Sequence, residues 1–315
     1  MSKEITYGTG LIKETFPHMR NHDYEVVCGS VSVGATYPEE YEIPRENTGT
    51  LKNQGNVGAC VAEVIAQVAE NWYTKQGESG EMSEGFIYGA LRNQNTKGPG
   101  MVVSTALEFW KTIGTLPKKY FDELVEMPEI KKLVAKFPDF YDIASKYKLK
   151  SFVSLNYADK SKRDAAIKDA LTKYNYGLIA ASNEYFREPH CIQLTGWNDK
   201  KNKYKFKNSW GETYGDNGFS EIPKGEVDQV YLPIFEEIKE PFTDVVETDW
   251  FYDTVRKMYF AGLMKGTSDT TFEPNKPLTR AEAATILYRI IKEIDTRFDI
   301  LNTWLDNTNT KITFN

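Results

Sequence analysis

Leu51-Lys52-Asn53-Gln54-Gly55-Asn56-Val57-Gly58-Ala59-Cys60-Val61-Ala62 decides how the rest of the chain reads. Up to Cys60 the residues are turn formers: two glycines, two asparagines and a glutamine. Beyond it the pattern changes at once. Val61, Val64, Ile65, Val68 and Trp72 recur at helical spacing on one face. Cys60 therefore stands where a Gly-rich turn enters a buried helix. A thiol there meets the positive end of the helix dipole, which favours thiolate over thiol. A small apolar cysteine packed at a helix start has the same placement.

A thiolate needs a base, and the chain has three histidines: His18, His22 and His190. The first two lie in an irregular, polar N-terminal segment. His190 opens Pro189-His190-Cys191-Ile192-Gln193-Leu194-Thr195-Gly196-Trp197, the start of a buried strand. Lys203-Tyr204-Lys205-Phe206-Lys207 alternates with period two and runs into Asn208-Ser209-Trp210-Gly211. A hairpin of these two strands brings Asn208 beside His190. An Asn carbonyl there can accept the imidazole N–H and fix the tautomer that faces the sulfur. A histidine on a strand, taken alone, is as readily a core residue.

The set Gln54, Cys60, His190 and Asn208-Ser209-Trp210 resembles the papain-like cysteine peptidases over about Tyr37 to Leu232. His190 follows Cys60 by 130 residues (190 − 60) and Asn208 by 148 (208 − 60), inside the roughly 130–150 window of that family. Trp210-Gly211-Glu212-Thr213-Tyr214-Gly215-Asp216-Asn217-Gly218-Phe219 also reads like the family's C-terminal segment. The resemblance implies an α+β fold of two lobes, helical and β, with a cleft between. It implies Cys60 as nucleophile, His190 as its base and Asn208 as the group that orients His190. Gln54 and the Cys60 amide would form the oxyanion hole, with Trp210 shielding the His–Asn contact; no metal or organic cofactor is needed. Gly98 and Gly100, in Gly98-Pro99-Gly100, match a glycine pair that exposes backbone to an extended substrate; a plain turn is the alternative. No charged residue marks a pocket, so apolar substrate side chains are expected. The nucleophile turn departs from the family: Val57 replaces its usual disulfide cysteine and Val61 its usual Trp.

Length of 315 residues sets a prior of two domains. A net charge of −6 without a basic run argues against a nucleic-acid partner, and the apolar runs are too short to span a membrane. Cys28, Cys60 and Cys191 make no disulfide framework. Residues 1–36 read as a belt on the catalytic domain rather than a cleavable propeptide, with a strand candidate at Tyr24-Glu25-Val26-Val27. Ser83 is placed to cap a second helix, and residues 117–148 suggest two short helices broken at Pro128 and Pro138.

Residues 233–241, with Pro233 and Pro241, read as a linker. Pro241-Phe242-Thr243-Asp244-Val245, Thr271-Phe272-Glu273-Pro274 and Leu278-Thr279-Arg280-Ala281-Glu282 resemble one S-layer homology motif over about 242–291, leaving a tail at 292–315. Thr279 and Glu282 form a capping box, and helices are expected at 248–260 and after Thr279. The resemblance implies a small helical module that binds cell-wall polysaccharide, with Arg280 and Glu282 as candidate glycan contacts.

The expected function is a cysteine endopeptidase working through a thioester on peptide or protein substrates, tethered to a cell wall. A non-catalytic wall-binding protein on the same fold, and a transferase or amidase acting on cell-wall amides, are the alternatives. The wall motif points to the cell surface or a phage-borne protein, whereas the N-terminus has no signal-peptide pattern.

Overall fold

The computed structural model describes residues 10–13, 22–23, 28, 35–75, 80–92, 99–126, 129–136, 139–235, 242–260 and 263–308. The chain forms two compact units, one of residues 1–74 and 79–236, the other of 75–78 and 237–315.

In the first unit the helix that begins at the nucleophile turn is α1, Cys60–Lys75. Nearly all of it is buried, with Val61, Val64, Ile65 and Val68 wholly inside. Burying one such side chain contributes about 1.5–3 kcal/mol, so this helix anchors the core. The next helix, α2 (Glu84–Ala90), starts where Ser83 Oγ accepts the Phe86 N–H at 3.0 Å. Next comes α3 (Val103–Thr112), whose Trp110 is fully buried and donates its indole N–H to the Tyr147 carbonyl at 3.0 Å. Residues 129–144 hold two short helices, α4 (Glu129–Val134) and α5 (Asp139–Ala144). In sequence each begins directly after a proline, Pro128 and Pro138.

The sheet is mostly antiparallel. Its described strands are β1 (His22–Asp23), β2 (Glu40–Glu42), β3 (Ser151–Ser154), β4 (Leu178–Ser182), β5 (His190–Asn198), β6 (Lys203–Lys207), β7 (Phe219–Pro223) and β8 (Gln229–Ile234). Their order is β1-β3-β8-β4-β5-β6-β7, with β2 also on β5. All nine residues of β5 are buried, which fits a central strand covered on both faces. Across the sheet lies α6 (Lys160–Tyr174), capped by Asp159, whose carboxylate accepts two amide N–H groups. The expected hairpin is present: β5 and β6 pair antiparallel with Gln193 opposite Lys207, one residue short of Asn208.

One expected boundary changes. The linker was expected from 233, but Pro233 and Ile234 belong to β8, where Pro233 pairs with Phe152 and its carbonyl takes the Tyr176 hydroxyl. A proline is tolerated there because its carbonyl, not its missing N–H, is used. The last helix continues past 291 through the tail to Thr308. The strand candidate at 24–27 lies outside the described residues.

In the second unit, α7 (Tyr252–Phe260) starts four residues later than expected, after a turn in which the Asp249 carboxylate accepts the Val246 N–H. The last helix, α8 (Arg280–Thr308), opens on the capping box: Thr279 Oγ1 accepts the Glu282 N–H at 3.2 Å, and Glu282 returns a bond to the Thr279 N–H at 2.8 Å. Phe242, Val245 and Val255 form the small core, with Phe251, Tyr252, Tyr259 and Phe272 packed on it. Gly266 lies so close that an added Cβ would sit 2.3 Å from the Phe242 ring.

Candidate active site

The turn before α1 is locked to the loop after β6. Asn53 and Trp210 form a β-bridge, and the Gln54 N–H donates to the Ser209 carbonyl at 3.0 Å. Gln54 is buried; its Oε1 accepts the Ser209 hydroxyl at 2.5 Å and its Nε2 donates to the Val57 carbonyl at 2.8 Å. The second Nε2 hydrogen is left for another acceptor. Sequence separation hid this tie, because residues 155 apart meet only in the fold.

His190, at the start of β5, is fully buried. Its Nε2 lies 2.7 Å from Asn208 Oδ1. Oδ1 also takes the Ser209 N–H at 2.8 Å, so it is the acceptor and Nε2 carries the proton. Nδ1 then holds a lone pair, and it has no hydrogen-bond partner. Trp210 stacks on the imidazole, centroids 4.5 Å apart, and Phe186 meets it edge-on at 4.8 Å. The sequence reading anticipated Trp210 but not Phe186, which stands in the short turn between β4 and β5 where nothing in the local pattern marks it.

Cys60 is also fully buried. Burial pushes its thiol up to about 12, although backbone N–H groups of Cys191, Gly10 and Val61 hydrogen-bond the sulfur and pull the other way. The Cys191 amide places the beginning of β5 against the nucleophile turn. Burial likewise holds His190 down to about 4, against the Asn208 bond that favours its charged form. In this conformation burial favours a neutral thiol at Cys60 and a neutral imidazole at His190, not the charged forms that a bare helix N-terminus suggests. The reason is desolvation: a charge in a dry site is disfavoured more than the helix end favours it.

The chain's own N-terminal segment packs against the nucleophile turn and adds to this burial. Leu11 pairs in parallel with Met101, the Ile12 N–H donating to the Met101 carbonyl at 2.8 Å and the Met101 N–H to the Gly10 carbonyl at 2.7 Å. Gly10 and Leu11 are buried. Gly10 sits so close to the nucleophile turn that a Cβ on it would lie 1.9 Å from the Gly58 oxygen. Gly100 adopts φ +91°, and a Cβ there would lie 2.8 Å from the Gly10 oxygen. The backbone edge beside Gly100 is therefore occupied by residues 10–12. Gly98 lies outside the described residues.

Cys191 is buried and its thiol pushed well up, by burial first and by the neighbouring Cys60 sulfur next. Cys28 accepts the Tyr174 hydroxyl at 3.2 Å. All three cysteines are free. Among the described residues, the carboxylates of Glu70, Glu81 and Glu84 cluster closely enough for a metal, but Lys52 Nζ lies 2.5, 2.9 and 2.7 Å from them and fills the place of a cation.

Residues 37–233 match the family model described as papain family cysteine protease. The chain belongs to that family. Its fold is similar to xylellain, a cysteine protease from Xylella fastidiosa: TM-score 0.60, 16% identity, 75% of this chain and 99% of that one. It is also similar to procathepsin L2 from the larval midgut of Tenebrio molitor, at TM-score 0.55 and 17% identity over 73% of this chain and 78% of that one. Residues 241–284 match the S-layer homology domain. There the chain is 48% identical over 46 residues to a surface-layer 125 kDa protein of Lysinibacillus sphaericus, spanning 15% of this chain and 4% of that protein.

In the S-layer homology module, a cavity of about 460 Å³ is lined by Phe272, Lys276, Glu282 and Arg289 among others. Arg280 is exposed and is not among its lining residues. Glu282 is held below the usual carboxylate range by its bonds to Thr279. No described helix is long and apolar enough to cross a membrane.

Proposed function

We propose that the chain is a cysteine endopeptidase that hydrolyses peptide bonds through a Cys60 thioester. The observation that carries this reading is the buried imidazole of His190, bonded at Nε2 to Asn208 and left with a free lone pair at Nδ1. A core histidine would have both nitrogens satisfied or one exposed. Once substrate replaces the N-terminal cover, the sulfur gives its proton to Nδ1 and attacks the scissile carbonyl. Gln54 Nε2 and the Cys60 amide receive the developing oxyanion; losing one such donor typically costs about 100–1000-fold in rate. His190 then protonates the leaving amine, which departs. The imidazole next takes a proton from water, and the hydroxide releases the acid and the free thiol. Asn208 keeps the proton-accepting nitrogen turned toward the sulfur throughout.

The same reading makes residues 10–12 a cover. They use the backbone that an extended peptide would use at Met101, and they run parallel to it. Latency follows: activity begins when the segment leaves. The S-layer homology module serves to hold the peptidase at a cell wall, with Arg280 and Glu282 as candidate polysaccharide contacts, which places the protein at the cell surface.

A full-length chain carrying Gly10→Leu tests the peptidase reading, since the added side chain has no room beside Gly58. Incubated with casein and, separately, with peptidoglycan fragments, it is expected to release peptides from casein. Release from peptidoglycan alone would move the reading to a cell-wall amidase. Release from neither, with an intact fold, would leave only wall binding.

A further inference from the structure

The turn that presents Cys60 has no covalent brace. Cys28, Cys60 and Cys191 are all free. Yet the turn must be held, because each unrestrained residue carries about 1–2 kcal/mol of backbone entropy. The hold comes from residues 117–148. Glu126 lies just before α4 and reaches back to the turn. Its Oε1 accepts the Gly58 N–H at 2.5 Å, and its Oε2 accepts the Tyr88 hydroxyl at 2.9 Å. The Tyr88 oxygen in turn accepts the Gly100 N–H at 3.1 Å. The donors and acceptors are consistent along the whole chain of bonds: amide to phenol, phenol to carboxylate, amide to carboxylate. Tyr88 is fully buried on α2, and burial, with the Glu126 charge, keeps its proton on.

The two ends of this relay matter. Gly58 stands two residues before Cys60. Gly100 stands beside Met101, whose backbone pairs with an extended segment. We propose that Glu126 is a positioning residue: its carboxylate, through Tyr88, ties the nucleophile turn to the peptide-pairing edge and does so without a disulfide. This rests on Cys60 being the nucleophile. A charge-assisted bond is roughly twice as strong as a neutral one, so a single carboxylate can hold both walls. Loosening it lets Cys60 and its oxyanion amide drift relative to the bound backbone, and a shift of about 1 Å can cost on the order of 100-fold. The brace also predicts that reductant leaves the site geometry untouched.

The test uses the full chain with Gly10→Leu as parent, and adds Glu126→Ala, Glu126→Gln or Tyr88→Phe. Rates are taken per active site titrated with an irreversible thiol-directed inhibitor, so loss of folded protein does not count. Glu126→Ala is expected to lower kcat/KM about 10–100-fold, mainly in kcat. Glu126→Gln keeps an acceptor for Gly58 and a donor for the Tyr88 oxygen, and is expected to retain most of the activity. Hydrogen exchange at the Gly58 amide is expected to speed up in Glu126→Ala, and at Gly100 in Tyr88→Phe. Unchanged kcat/KM in Glu126→Ala, or a loss that Glu126→Gln does not rescue, overturns the proposal. If the parent cleaves no peptide, the peptidase reading fails, and exchange in the otherwise unmodified chain decides the brace: faster Gly58 exchange in Glu126→Ala supports it and unchanged exchange overturns it.

Discussion

Gly10 is the most informative single position in the covered cleft. A Cβ there would lie 1.9 Å from the Gly58 oxygen and 2.1 Å from its carbonyl carbon, both backbone atoms that cannot swing aside. Gly10→Leu must therefore displace the segment. Two things then change at Cys60. The Gly10 amide leaves the sulfur, which alone would raise the thiol, and water enters, which lowers it. Burial is the larger effect, since it holds the thiol at about 12 despite three amide bonds. A full return to an ordinary value near 8.5 would multiply the thiolate fraction at neutral pH by about 10^3.5, roughly 3000, which is the upper limit of the effect. The assay is iodoacetamide labelling at pH 7, read by mass spectrometry of the digested protein. Cys191 and Cys28 serve as internal references, because neither contacts the segment by any described hydrogen bond. Cys60 in the unmodified chain is expected to label slowly, and faster in Gly10→Leu by a factor of up to about 1000. Equal rates in the two proteins would refute the cover as the cause of the buried thiol.

Two further outcomes follow from buried charge. His190 sits at about 4 in the folded chain against 6.5 ordinarily. The unfolded chain thus binds more protons between those values, so stability is complete above pH 6.5 and is lost as pH falls toward 4. The drop attributable to His190 is about 3 kcal/mol at 1.36 kcal/mol per unit. Urea unfolding across that range, compared with His190→Gln, measures it; parallel curves for the two proteins would contradict it. Lys52 is buried between Glu70 and Glu84, 2.5 and 2.7 Å away. Lys52→Met leaves those carboxylates buried without their cation and is expected to cost about 3–5 kcal/mol in urea unfolding, with a change below 1 kcal/mol counting against the account.

The parts legible in the sequence were those written in local pattern. The turn before Cys60, the Ser83 cap, the Thr279–Glu282 box and the β5–β6 hairpin each rest on residues a few positions apart, where spacing alone dictates geometry. The parts that escaped are long-range. Glu126 lies 68 residues from Gly58 and the Ser209 hydroxyl 155 from Gln54, and no periodicity links them. The ionisation state of Cys60 escaped for a related reason. A helix N-terminus is visible in sequence, but the burial that overrides it is set by distant segments that meet only in the fold, Gly10 among them. Pro233 misled because proline marks linkers more often than strands, and here only its carbonyl is needed by the sheet.

The central claim is a thioester on Cys60, and trapping it is the direct measurement. The full chain with Gly10→Leu is mixed with an activated peptide ester, quenched in acid within milliseconds to seconds, digested and mapped by mass spectrometry. The account predicts an acyl adduct on the peptide that carries Cys60, accumulating before steady state and absent from the same chain with Cys60→Ala. Asn208→Ala should slow its formation without moving it to another residue. An adduct on Cys28 or Cys191 instead, or peptide turnover undiminished in Cys60→Ala, would contradict the account.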